Sequence, residues 1–86
     1  MEFEFDPAKS RLNKEKHGID FEEAQKLWDD ANRHELATEG VEELRFVMTG
    51  VIGNKYWTAV ITYRDDHIRI ISVRCARDVE IASYEG

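Results

Sequence analysis

Two arginines, Arg69 and Arg74, stand five positions apart in the stretch DHIRIISVRCA, residues 66–76, where a core strand would carry only Ile and Val. A guanidinium held on a strand presents its donor fork in a fixed direction, and that fork matches the oxygens of a phosphate. A salt bridge is the competing use, and 18 Asp and Glu residues supply partners for one. Side chains alternate along a strand, so this spacing sends the two arginines to opposite faces unless the strand ends or bulges between them. Other cations cluster nearby in sequence. Residues 8–18 carry Lys9, Arg11, Lys14 and Lys16, and residues 63–77 carry Arg64, Arg69, Arg74 and Arg77, whereas nine carboxylates lie between Asp20 and Glu43. A formal net charge of -6 argues against nucleic-acid binding on average, yet it conceals two basic segments around an acidic middle. Ordinary solvated faces would produce the same map.

Other chemistries find no support in the residue pattern. His17, His34 and His67 are too scattered for a helical metal motif, no CxxC occurs, and no Gly-rich loop follows a strand. No metal and no cofactor is therefore expected. Cys75 is the one cysteine, which excludes an internal disulfide and fits a reducing cytoplasm; it reads as a small residue near a strand end. Trp28, Trp57 and Tyr56 read as core or sheet residues rather than base-stacking platforms. The opening MEFEFDPAKS is acidic and polar, unlike a secretory signal, and no apolar run has the length of a membrane span. With 86 residues, 42% hydrophobic and 35% charged, the expectation is a single globular domain, 1–86, whose function sits on the surface of the elements that build it.

Those elements are set by local signals. EFEF alternates and predicts a short first strand with Phe3 and Phe5 on one face. Asp6 then offers an N-cap and Pro7 a first helical residue, with Gly18 placed to end the helix in the left-handed conformation. At about 100° per residue, Lys9, Asn13, Lys16 and His17 share one side of this helix, opposite Ala8 and Leu12. Asp20 and Glu23 form a capping-box pair, predicting a second helix from about Phe21 to Asp30 that buries Phe21, Ala24, Leu27 and Trp28. LRFVMTGVI and KYWTAVITY, separated by Gly53 and Asn54, predict a hairpin, and a second turn at Arg64–Asp66 leads to the strand HIRIISVR. A short final helix is expected after Cys75, with Asp78 able to cap it. The fold class is α+β: an antiparallel sheet, a meander plus the short N-terminal strand, with two N-terminal helices and a short C-terminal helix.

FDPAKSRLNKEKHGIDFEEA, ELRFVMTG and IRIISVRCARDVEIASYE, in that order, resemble the BrnT family of type II toxins, small ribonucleases neutralised by BrnA antitoxins. The paired KHG and RIISVR blocks carry the resemblance, which covers nearly the whole chain. It implies a RelE-like fold, metal-independent RNA cleavage that blocks translation and growth, an RNA substrate, a BrnA-like antitoxin partner, operator DNA contacted only through that antitoxin, and no membrane. The family pattern draws attention to Lys16, His17, Arg45, Arg69, Arg74 and Glu80. Metal-free RNA cleavage activates the ribose 2'-hydroxyl, stabilises phosphoryl charge and protonates a leaving oxygen, so it requires a base, an acid and a cation. His17, Glu43, Glu80 and Tyr84 are the residue types that transfer protons, although Tyr84 reads rather as a packing residue of the last helix. Arg45, Arg74, Arg69, His17 and Glu80 are the catalytic candidates, and Lys9, Lys16, Arg64 and Arg77 the further RNA-binding ones. The alternative is a non-catalytic interaction domain, or a DNA-binding module using the helix-turn-helix-like N-terminal half, whose second helix would set Glu22, Glu23, Asp29 and Asp30 against phosphate.

Overall fold

A computed structural model describes residues 2–38 and 44–86. The first strand, β1 (Glu2–Glu4), runs straight into helix α1 (Pro7–His17). Asp6 in extended backbone accepts from the Ala8 N–H, Pro7 has no amide hydrogen to leave unpaired, and Gly18 ends the helix at φ 83° with its N–H on the Lys14 carbonyl. The reciprocal pair downstream also forms: Asp20 accepts from the Glu23 N–H at 2.7 Å and Glu23 from the Asp20 N–H at 3.0 Å. The segment that this pair opens, Glu23–Asp29, is a 3₁₀ helix rather than an α-helix. Three residues per turn line up Phe21, Ala24 and Leu27, all buried, on one edge facing the sheet. An apolar repeat of three satisfies the core in this form, so tertiary packing overrides the local α-helical signal.

The remaining strands are β2 (His34–Thr38), β3 (Arg45–Ile52), β4 (Lys55–Arg64) and β5 (His67–Cys75), followed by helix α2 (Asp78–Glu85). They form one five-stranded mixed sheet in the order β1-β5-β4-β3-β2. This corrects the predicted fold class in three respects. The sheet is not wholly antiparallel, because β1 pairs in parallel with β5. There is one N-terminal α-helix, not two. A strand, β2, occupies HELAT, which has too little β-branched or aromatic content to announce itself. Alternation in EFEF specifies the faces of β1 but neither its partner nor its direction. Phe3 pairs with Ile68 and meets the Trp28 ring edge-on at 4.8 Å, and this packing places the strand.

The two hairpin turns hold two residues each, Gly53-Asn54 and Asp65-Asp66. Both aspartates adopt positive φ, 48° and 66°, as a hairpin whose twist matches its strands requires. One face of the sheet carries Met48, Trp57, Ala59, Ile61, Ile68, Ile70 and Val73 and is covered by Ile19, Phe21, Ala24 and Leu27. Helix α1 turns a polar side inward: Ser10 and Asn13 are buried, and Leu12 is 62% exposed. The Asn13 amide donates to the Ile19 and Val73 carbonyls and accepts from the Val73 N–H, so it takes the place of a neighbouring strand where β1 has ended. Ser10 accepts from the Phe21 N–H. No helix among the described residues is long and apolar enough to cross a membrane.

Candidate functional site

The pairing register maps the second face of the sheet. Thr58 pairs with Arg74 and Thr62 with Arg69, and Thr58 and Thr62 lie on the same side of β4, so both arginines share one face. A bulge produces this. Val60 pairs with Ser72 and Ile61 with Ile70, which leaves Ile71 unmatched and inverts the alternation between the two arginines. Ile70 and Val73, on either side of it, therefore both reach the core, and Arg69, Ser72 and Arg74 all face away from it.

Three transverse rows result on this open face. His34, Thr49, Thr58 and Arg74 form the first, and Leu36, Val47, Val60 and Ser72 the second. The third holds Thr38, Arg45, Thr62, Arg69 and Glu4, because the register that joins Phe46 to Ile61 carries Arg45 opposite Thr62. Strand spacing sets the backbones of Arg45 and Arg69 roughly 10 Å apart across β4. Arg45 is exposed and meets no carboxylate among the described residues. Arg69 lies 3.9 Å from Glu4, too far for a hydrogen bond.

Helix α2 covers the end of the first row. Its Glu80 accepts from Arg74 Nη1 and Nη2 at 2.7 and 2.8 Å, from the Thr58 hydroxyl at 3.0 Å and from the Arg77 N–H at 2.8 Å. Because Thr58 gives its single proton to this carboxylate, Thr49, 2.9 Å away, must donate to Thr58. One residue from each of β3, β4, β5 and α2 thus joins a directed chain. The Arg74 guanidinium, first, and its other donors hold the Glu80 carboxyl down at about 2, and the pairing pushes Arg74 up. Both side chains are largely withdrawn from water, 22% and 15% exposed. Nη1 also reaches the Cys75 carbonyl at 3.4 Å. Arg74 consequently spends its end-on edge on Glu80 and keeps its side edge, Nε–H with the second Nη2 hydrogen, without a protein partner among the described residues.

Arg77, not Asp78, stands at the N-cap of α2, one position earlier than predicted, and Glu80 reaches back to its amide. No residue of α2 is buried. The helix is tied down by Glu80, by Tyr84 donating to Asp30 at 2.7 Å, and by Tyr56 donating to Glu85. Asp30 also accepts from the Val51 N–H at 3.0 Å. Donation to Asp30 raises the Tyr84 hydroxyl to about 12, which makes it a tether rather than a proton carrier at neutral pH.

His17, Lys16 and Lys9 line a shallow depression of about 260 Å³ beside the bulge, together with Asn13, Ile71 and Ser72. The sheet fold therefore brings Arg74 and Glu80 into contact, and sets Arg69 and Arg45 on the same face in a separate row. His17, Lys9 and Lys16 adjoin at Ser72, and Arg64 and Arg77 are exposed at the ends of β4 and α2. Glu43 lies outside the described residues. Thr49 and Thr58 were missed by sequence reasoning, because a threonine in a strand signals only β-propensity, and their alignment with Arg74 exists only in the pairing register.

A small mixed sheet thus carries Thr49 and Thr58 beside the Arg74–Glu80 pair, with Arg69 and Arg45 on the same face. The family model for the ribonuclease toxin BrnT of type II toxin–antitoxin systems matches residues 5–80, and the chain belongs to that family. Comparison with curated proteins returns no match. Membership brings with it an antitoxin as partner.

Proposed function

We propose that this toxin cleaves RNA without a metal ion, so blocking translation and growth, and that the open face of the sheet holds the scissile region. The observation that carries this is Arg74: its guanidinium is fixed by Glu80, which Thr58 in turn holds, while its side edge stays open for a second bidentate contact, which a phosphate oxygen pair fits. A cation oriented before substrate arrives stabilises phosphoryl charge without reorganising during the reaction. Arg69 and Arg45 add positive charge in a separate row of the same face, and Lys9, Lys16, Arg64 and Arg77 supply outer contacts to the RNA backbone.

Glu80 takes a different role from the proton transfer that its residue type suggests. A carboxylate held at about 2 is a weak base near neutrality, so Glu80 positions Arg74 instead. His17, in the depression against Ser72, supplies an imidazole for proton transfer. The partner is a BrnA-like antitoxin that covers this face, and operator DNA is reached through the antitoxin alone.

The test is incubation of purified toxin with RNA in excess EDTA, beside Arg74→Ala. Cleavage by the wild type and its loss in the variant are expected. Cleavage that vanishes on chelation and returns with a divalent ion would overturn the metal-free reading. Undiminished cleavage by Arg74→Ala would remove Arg74 from the site.

A further inference from the structure

The sheet has four backbone edges to satisfy, of which the outer side of β1 spans only three residues, and the protein treats them unequally. Beyond the end of β1, the β5 edge at Val73 is closed by the Asn13 amide, which supplies both a donor and an acceptor. Beyond the start of β2, the β3 edge at Val51 is closed by the Asp30 carboxylate. The outer edge of β2 is closed by nothing among the described residues.

Its free groups can be named. The Val51 N–H points to the β2 side, where Asp30 meets it, so Thr49, Val47 and Arg45 point there too. Their partners His34, Leu36 and Thr38 exchange backbone hydrogen bonds with them, and Glu35 and Ala37 turn their N–H and C=O groups outward. None of these four groups has a partner among the described residues. Sequence devices that blunt an edge are missing from the strand: HELAT holds no Pro, no Lys and no bulge. Its one charge, Glu35, is already engaged by the Tyr63 hydroxyl at 2.6 Å.

We infer that the outer edge of β2 is a docking site for an extended segment of the antitoxin, which adds a sixth strand through the backbone of Glu35 and Ala37. Leu36, 50% exposed, calls for an apolar side chain on the segment, and Arg45, exposed next to Thr38 on the same face, calls for a carboxylate. A second copy of this chain is the poorer occupant. Two five-residue edges meeting alone bury far less than the ~1,200 Å² of a stable interface, whereas a longer antitoxin segment continues from the edge onto the open face over Val47 and Val60. The partner's existence rests on family membership, and the edge contact does not depend on the role assigned to Arg74.

Amide exchange of the wild-type toxin, free and bound to its antitoxin, tests the contact directly. Glu35 and Ala37 amides should exchange rapidly in the free toxin and slow at least tenfold in the complex, with Leu36 protected in both states. Ala37→Pro removes one outward donor that no described residue uses, at a position where an edge strand tolerates proline. It should keep RNA cleavage and weaken antitoxin capture tenfold or more. Unchanged exchange at residues 35 and 37 in the complex overturns the inference, and so does unchanged antitoxin affinity in a folded Ala37→Pro. Protection that grows with toxin concentration in the absence of antitoxin would assign the edge to a second copy instead. Should Ala37→Pro fail to fold, the wild-type exchange decides by itself.

Discussion

Replacing Glu80 by Gln should cost stability in a way that depends on pH, and the size can be worked from the pair it breaks. The Glu80 carboxyl lies at about 2 against an ordinary 4.5, chiefly because of the Arg74 guanidinium. At 1.36 kcal/mol per decade that difference sets an upper bound of about 3 kcal/mol. Both side chains keep some access to water, which lowers the expectation to about 2 kcal/mol. For a chain of this length, about 2 kcal/mol corresponds to a fall in Tm of roughly 8–16 °C. The folded carboxyl titrates lower than the unfolded one, so its contribution is complete above about pH 4.5 and disappears as pH falls through about 2. Urea unfolding of wild type and Glu80→Gln at a series of pH values measures the gap between them, in which the titration of all other carboxylates cancels. The gap should be widest near neutral pH and shrink steadily between pH 4.5 and 2.5. A gap that stays constant over this range, or that is absent at pH 7, would refute the idea that an ionised Glu80 holds Arg74.

Three further outcomes are expected. Arg74→Ala should lower RNA cleavage by about 100-fold or more, as loss of one pre-aligned charge-stabilising group does, and Thr58→Val should lower it in the wild type but not in the Arg74→Ala background, with Thr58→Ser restoring it. Arg45→Ala should weaken RNA binding and reduce the slope of log affinity against log salt by about 0.7, measured by fluorescence titration at several salt concentrations. Asn13→Leu should lower Tm strongly, by about 3–5 kcal/mol of stability at about 1–3 kcal/mol per buried group left unpaired, because three backbone groups lose their partner at once; calorimetry reads this.

Local chemistry determined the ends of elements. Asp6, Pro7 and Gly18 bound α1 because a helix terminus is satisfied by residues within a few positions of it, and the Asp20–Glu23 exchange forms for the same reason. The hairpin turns at Gly53-Asn54 and Asp65-Asp66 belong to this group, since a two-residue turn is decided by the φ its own residues accept. The residues that resemble the BrnT family were legible as strings of letters, and so were the types of side chain its chemistry uses.

Tertiary structure decided which of those side chains share a place. A capped segment became 3₁₀ because Phe21, Ala24 and Leu27 must meet a sheet built by residues far along the chain. The polar Asn13 turned inward because an unfinished sheet edge needed its hydrogen bonds, and Ser10 because the buried Phe21 N–H needed an acceptor. Arg69 and Arg74 depend on the register more than any other pair. Five positions along a regular strand would separate them onto opposite faces, and one unmatched residue at Ile71 returns them to the same one. Nothing in RIISVR marks that bulge, because a bulge is a property of two strands in register and not of either strand alone.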